Sequence, residues 1–327
     1  MWFALAGDEL KQLILSKMGS VAAQLVFGPL GLPNLWNKAW RQGQLAVQFS
    51  DHYLAAVLPE PGAVPEVIPL PSGLVVEGLP THPEALGDLL GDLVLQQGWS
   101  IRQAALVLPS SGSEWRLLRL AGGQEPQPEH WQHLHQTLPQ EASAYESELL
   151  PLPQPNEWLV LFQPKASLEG WIEVFAQADL ELGFVELVEL AQMRALGIGP
   201  EWPLSLLVNL HSQSTMLTLV QQGRPVFRRS WPAPPAVIDS ESWCQELAAF
   251  AEDLRQQSGE SSPVQLLLLG AGLQQEEVAD ALCAAGGTDW KLAALADSAG
   301  HDPLTQASFA GLIGTARRIA DDRAPQS

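Results

Sequence analysis

The sequence predicts an α/β protein of two related halves, each a mixed sheet flanked by helices, with a small α/β subdomain inserted into the first. Three observations predict this. First, Leu204–Trp231 reads as three consecutive strands. Leu204–Leu210 is a near-continuous apolar run, suited to a strand buried on both faces. Thr215–Gln221 and Pro225–Ser230 follow, joined by the turn Gln222-Gly223. Second, a helix, a further apolar strand and another helix come next, and the order strand, strand, strand, helix, strand also occurs over residues 44–108. Third, 327 residues with a 46% apolar fraction can bury two cores.

The elements justify this in order. Residues 8–25 place Leu10, Ile14, Met18, Val21 and Leu25 on one helical stripe. That helix either packs on the body or touches a membrane or partner, and residues 1–43 form it and its linker. The first half spans 44–200. Its strands are Gln44–Phe49, His52–Leu58 and Gly73–Leu79, with a proline-rich loop at 59–71. Thr81 and Glu84 predict a capping box before a helix through Leu86, Leu90 and Leu93. Ala104–Leu108 is a buried strand. The insertion covers about 109–180, with strands at 114–120 and 157–163 and helices at 128–138 and 167–179. A strand at 182–188 and a helix at 190–196 lead to the linker Gly197–Pro203. The second half spans 201–320. After its three strands, Ser240 caps a helix carrying Trp243, Leu247, Ala251 and Leu254. A strand at Val264–Leu269 then runs into Gly270-Ala271-Gly272, followed by a helix at 274–285. A closing helix runs over about 304–320, and 321–327 is a tail.

Charge and composition exclude several classes. Seventeen basic against 37 acidic residues give a net charge of −20, which repels a phosphate backbone, so nucleic acid is not an expected partner. Within residues 1–50, Lys11, Lys17, Lys38 and Arg41 outnumber Asp8 and Glu9, so this segment alone is positive. Met18–Asn37 is uncharged but is broken by Gly28, Pro29, Gly31 and Pro33, so neither a membrane-spanning helix nor a secretory signal is expected. The expected location is cytoplasmic. Cys244 and Cys283 have no zinc spacing and read as free thiols in a reducing compartment.

Other groups in the sequence could carry chemistry. His130 and His133 share a helix face, but a metal would need ligands from elsewhere, and no metal is expected. Ser110, Ser111 and Ser113 flank Gly112 without a strand–nucleophile–helix elbow, which disfavours a hydrolase. Arg228 and Arg229 read as a solvated strand end or as a contact for an acidic partner. Of twelve tryptophans, Trp115, Trp131, Trp158 and Trp171 fall in the insertion, where such side chains serve a core or an interface.

Three stretches carry a family resemblance: LLVNLHSQSTMLTLVQQGRPVFRRS (206–230), LLLLGAG (266–272) and SFAGLIGTARR (308–318). With the element order, they make the chain similar to the PilM family of type IV pilus assembly proteins. It is more distantly similar to the cytoplasmic domain of the type II secretion protein GspL. The resemblance implies the actin-like, ribonuclease-H-like ATPase fold, with 206–230 as the second phosphate loop, 266–272 at the adenosine and 308–318 as a small-faced closing helix. ATP is the cofactor it implies. The nucleotide site would then survive in degenerate form at Ser50, Asn209, Ser212, Ser214, Gly270 and Gly272.

Active members carry Asp-apolar-Gly after the first strand of each half, where carboxylates hold the metal or its water and glycines admit phosphate. Here the triplets read Gln48-Phe49-Ser50 and Asn209-Leu210-His211. The expectation is therefore a non-catalytic scaffold of a pilus, secretion or competence machine, without ATP turnover and with no catalytic residues. The resemblance implies that it holds the cytoplasmic tail of a PilN-like single-pass inner-membrane protein and works beside pilus assembly ATPases. The tail groove is expected between strands 104–108 and 114–120 and the helix at 128–138, with Trp115, Leu117 and Trp131 as anchors unless they pack the subdomain core. The N-terminal helix would lie peripherally on the inner face of the membrane. The alternatives are an active ATP-binding protein of this fold, or a sugar or carboxylate kinase. A kinase needs an acidic base that neither loop supplies.

Overall fold

The computed structural model describes residues 43–60, 62–109, 113–122, 124, 126–152, 154–211, 214–233, 240–259, 261, 263–270, 290–293 and 303–323. The expected N-terminal helix at 8–25, the helix at 274–285, Cys283 and the 324–327 end of the tail lie outside them.

The first half is a five-stranded sheet. Strands β1 (Gln44–Phe49), β2 (Tyr53–Val57) and β3 (Glu66–Pro69) form an antiparallel meander. The hairpin β4 (Val75–Val76) and β5 (Leu79–Pro80) and helix α1 (Pro83–Gln96) follow. Strand β6 (Gln103–Leu108) lies parallel to β1, and β10 (Glu181–Leu187) lies parallel to β6. The small sheet contains β7 (Glu114–Arg119), β9 (Glu157–Pro164) and β8 (Tyr145–Pro151), in that order. Helices α2 (Pro128–Gln132) and α3 (Lys165–Gln177) flank it in sequence. After α4 (Val188–Ala195), the second half repeats the plan. Its strands are β11 (Ser205–Leu210), β12 (Ser214–Gln221) and β13 (Arg224–Pro232). Helix α5 (Ser240–Ser258), β14 (Gln265–Leu269) and β15 (Trp290–Leu292) follow. Helices α6 (Pro303–Ser308) and α7 (Ala310–Arg323) close the chain.

The two large sheets have one topology. Read outward from the meander edge, the orders are β3-β2-β1-β6-β10 and β13-β12-β11-β14-β15. In each, the meander is antiparallel and the two later strands are parallel. Both β1 and β11 are buried at every position, as central strands covered on two faces must be. The expected duplication is present.

Several local expectations need correction. The third strand of the first meander is Glu66–Pro69, inside the stretch read as a loop. It lies on the sheet edge, where proline is tolerated because one side of the strand needs no ladder partner. The 73–79 run is not a strand of this sheet. Positive φ at Glu77 and Gly78 folds it into the β4–β5 hairpin. The capping box fails: His82 is the N-cap without a side-chain bond, Pro83 opens α1, and the Thr81 hydroxyl turns back to the carbonyls of Gly73 and Leu74. The 128–138 helix is a short α-helix followed by a 3₁₀ turn at His133–Thr137. The closing helix is broken between Ser308 and Ala310. Strands β8 and β15 were not expected.

Packing divides the molecule. The first core joins one face of the large sheet to α1, α3 and one face of the small sheet, with Trp171 fully buried beside Phe49 at 4.9 Å. The second half has its own core under α5. Between the halves lie α4 and α7. Val188, Phe309, Leu312 and Ala316 pack on the first sheet, whereas Met193, Ala195, Ala310 and Ile313 join Leu207, Val220 and Leu269 of the second. The two helices cross at a backbone contact: a Cβ on Gly314 would fall 1.8 Å from the Ala191 carbonyl oxygen. This explains the small-residue face of 308–318.

Candidate functional site

The β1–β2 and β11–β12 turns occupy the same place in the two sheets, which is where the paired phosphate loops were expected.

The first turn satisfies itself. Buried Gln48 donates through Nε2 to the Tyr53 phenol oxygen at 3.0 Å. Ser50 Oγ accepts from the backbone N–H groups of His52 at 3.2 Å and Tyr53 at 3.1 Å. The Ser50 N–H donates to the Tyr53 carbonyl at 2.9 Å. Ser50 therefore builds the turn as a serine turn does. Burial pushes the Tyr53 phenol well above its ordinary range. Its ring packs on Phe309 at 5.5 Å.

The second turn is closed by other elements. Asn209 is buried, and its Oδ1 lies where a side chain on residue 270 would go: a Cβ on Gly270 would be 2.1 Å from that oxygen and 2.6 Å from the Leu210 carbonyl. Gly270 also has φ of +95°, and its N–H donates to the Ala307 carbonyl at 3.0 Å. Packing alone accounts for glycine here. The structure thus brings Asn209 and Gly270 together. Ser214 opens β12, and its carbonyl accepts from the His211 N–H at 2.9 Å. Ser212 and Gly272 lie outside the described residues.

Around His211 the environment is buried and charged. Its Nε2 is buried and has no hydrogen-bond partner among the described residues. Burial, reinforced by the Arg228 guanidinium, lowers its pKa to about 4, so the ring is neutral at pH 7. Arg228 reaches from β13 into the first half. Its Nη1 donates to the Ser113 carbonyl at 2.7 Å, and its Nε lies 3.4 Å from Glu189 Oε1. Its side chain is only 7% exposed and that of Glu189 1%. Arg228 is therefore neither a solvated strand end nor an open contact for a partner.

Sequence reasoning missed Glu189 and Tyr53. A signal existed for the first: Glu186 and Glu189 interrupt an otherwise apolar strand–helix junction, a pattern that calls for buried partners. Glu186 has them in Arg194 at 2.7 Å, Arg318 at 3.3 Å and the Thr315 hydroxyl at 2.8 Å.

The three expected anchors separate. Trp115 is 3% exposed and packs in the first core, and Leu117 shares its strand face. Trp131 packs on the opposite face of the small sheet, with Leu118, Tyr145, Val160 and Phe162. The core reading of both tryptophans holds, and they do not line one groove. On the Trp115 face, Leu117, Leu159 and Leu150 form one cross-strand row, and Trp115, Leu161 and Glu148 the next. Leu117, Leu150 and Glu148 are half-buried. Burial pushes the Glu148 carboxyl up to about 8 despite the Arg318 charge. His130 Nδ1 accepts from the Gln127 N–H at 2.8 Å, and His135 stacks edge-on to Phe162 at 4.8 Å. Among the described residues no group of three His, Cys, Asp or Glu could hold a metal ion.

No family model and no curated protein matches the chain. Solved structures do. The chain is similar to a structure of the PilM-PilN type IV pilus biogenesis complex, with 18% identity and a TM-score of 0.67, over 87% of this chain and 100% of that one. It is similar to the ethanolamine utilization protein EutJ from Carboxydothermus hydrogenoformans, with 12% identity and a TM-score of 0.52, over 89% and 92%. A Bacteroides thetaiotaomicron protein with an actin-like ATPase fold and unknown function aligns at 11% identity over 77% and 90%, with a TM-score of 0.47. The fold is the actin-like ATPase fold, in its two-half form with a small inserted sheet.

Proposed function

We propose that this chain is a PilM-like scaffold of a pilus or secretion assembly machine, holding the cytoplasmic tail of a PilN-like membrane partner without turning over ATP. One observation carries the reading: both turns are packed with their own neighbours, Gln48 on Tyr53 and Asn209 on Gly270, in a fold that covers all of the matched chain of a PilM-PilN complex structure. A metal-assisted phosphoryl transfer needs carboxylates and open backbone at these turns. Gln48 and Asn209 are amides, and Ser50 and His211 fill the space that glycine would leave. Bound nucleotide, on this reading, would find neither a metal ligand nor a clear phosphate seat. The same shortage counts against a kinase.

The tail seat that the packing supports is the half-exposed part of the small sheet's inner face. Leu117 and Leu150 offer apolar contact there, and Glu148 offers a carboxyl that an approaching basic tail residue would draw into its charged form. Trp131 drops out as an anchor because it belongs to the other face. Among the described residues no helix is long and apolar enough to cross a membrane. The chain would act at the cytoplasmic face, with the positive N-terminal segment against the lipid.

The test is calorimetric titration of a synthetic basic tail peptide into the full chain. Leu117→Arg and Glu148→Gln are expected to weaken binding at least tenfold, and Trp131→Ala to leave it unchanged. Equal affinity in all variants would remove the tail from this face. Phosphate release from Mg-ATP above the no-enzyme blank would overturn the non-catalytic part.

A further inference from the structure

The small sheet and the second half meet through polar contacts. On the first-half side the small sheet is anchored by Trp115, Leu159 and Leu161 in a large apolar core. Toward the second half, by contrast, the described apolar clusters of the small sheet include no second-half residue. What joins them is the β12–β13 hairpin. The Gln222 carbonyl accepts from Gln154 Nε2 at 2.7 Å. Arg224 pairs with Glu157, which Arg119 also holds at 2.8 Å. Further along β13, past a bulge between Pro225 and Phe227, Arg228 donates to the Ser113 carbonyl and faces Glu189. At the hairpin tip, Gly223 lies against the linker at Gly199, where an added Cβ would be 2.6 Å from the Gly199 carbonyl carbon.

We infer that Arg224 and Arg228 form an internal lock that holds the two halves closed across the cleft without a nucleotide. The apolar crossing of α4 and α7 is the permanent joint. The lock lies apart from that crossing, along the β12–β13 hairpin, and it is made of the kind of contact that can be made and broken. Arg228 supplies a fixed positive charge beside the second phosphate turn, where a closing ligand would otherwise bring its own cation. A guanidinium suits this task because it stays charged when buried and its fork reaches a carbonyl and a carboxylate together. The inference goes beyond the scaffold reading and can fail independently of it, because tail binding is measured separately on the small sheet.

The experiment compares the wild-type chain with a triple variant, Arg224→Ala with Arg228→Met and Glu189→Met. Replacing both members of the buried pair avoids leaving one charge unpaired. Differential scanning calorimetry and small-angle X-ray scattering are the readouts. The wild type is expected to melt in one transition. The variant is expected to keep its far-UV circular dichroism, melt in two transitions and show a larger radius of gyration. A variant with one transition and wild-type scattering overturns the lock. A second arm needs no variant and decides if the triple variant does not fold. Millimolar Mg-ATP is expected to leave the wild-type scattering curve unchanged, and compaction on its addition overturns the proposal.

Discussion

The two turns that face the cleft sit at equivalent places in two sheets of identical strand order, yet they manage their polar groups differently. The first is closed by its own neighbours: Gln48 meets Tyr53, and Ser50 ties the turn through the amides of His52 and Tyr53. The second is closed from a distance, by Gly270 under Asn209 and by Arg228 beside His211. Local closure makes the first turn a self-contained unit. Remote closure makes the second depend on the strands β13 and β14 of the same half. Two turns at equivalent places in a duplicated fold can thus be closed by two routes.

The largest expected effect is at the remote turn. Gly270→Ala meets the Asn209 oxygen and the Leu210 carbonyl at a positive φ, and should destabilise by about 4 kcal/mol in urea unfolding. A loss below about 1 kcal/mol would show that the second turn is looser than described. Next comes pH. The folded state holds His211 near 4, below its ordinary 6.5, so the unfolded chain takes up the proton first. This contribution is complete above pH 6.5 and is lost as pH falls toward 4, by at most about 3 kcal/mol. His211→Asn should flatten the stability profile in that window. Glu148 runs the other way: its carboxyl is raised from 4.5 to about 8, so its contribution is present in acid and is lost as pH rises from 4.5 to 8. Glu148→Gln should remove that slope and leave the His211 window intact.

At the local turn the effects are smaller. Gln48→Ala leaves the buried Tyr53 hydroxyl without its donor, and should lower stability by about 2 kcal/mol. Adding Tyr53→Phe should recover part of that loss. Ser50→Ala removes the hydroxyl that accepts from the His52 and Tyr53 amides and should lose about 1 kcal/mol, read from the urea midpoint at constant slope. If Ser50→Ala proved worse than Gly270→Ala, the contrast between local and remote closure would be reversed.

Much of the architecture was legible because local chemistry and global pattern agree. The apolar 204–210 run and the Gln222-Gly223 turn fix the second meander, and both turn residues do adopt positive φ. Strand β3 was hidden by Pro65, Pro69 and Pro71, which read as loop although an edge strand accepts them. Strand β8 was hidden by Glu146 and Glu148, whose charges mask a strand with few apolar side chains. At the site, the amides Gln48 and Asn209 and the side chains of Ser50 and His211, where the resemblance implies carboxylates and glycines, were visible as letters. The partners that took their place were not. Arg228 and Glu189 are far apart in the chain and meet only because two sheets and two crossing helices bring them together. The separation of Trp115 from Trp131 depends on strand parity, which flips with any one-residue shift in register.

The closing helix α7 has a consequence for synthesis. It is made after the second sheet, yet it covers the first: Leu312, Ala316 and Ile319, with Phe309 just before the helix, pack on Ala46, Val57, Ala105 and Val107. Its polar ties reach equally far back, from Thr315 to Glu186 across 129 positions and from Arg317 to Ala195 across 122. The half that leaves the ribosome first therefore waits with one sheet face uncovered while the entire second half is translated. At about 5–20 residues per second that wait lasts on the order of ten seconds. Loss of residues 309–319 would strip the sheet of the older half, long after that half has been made.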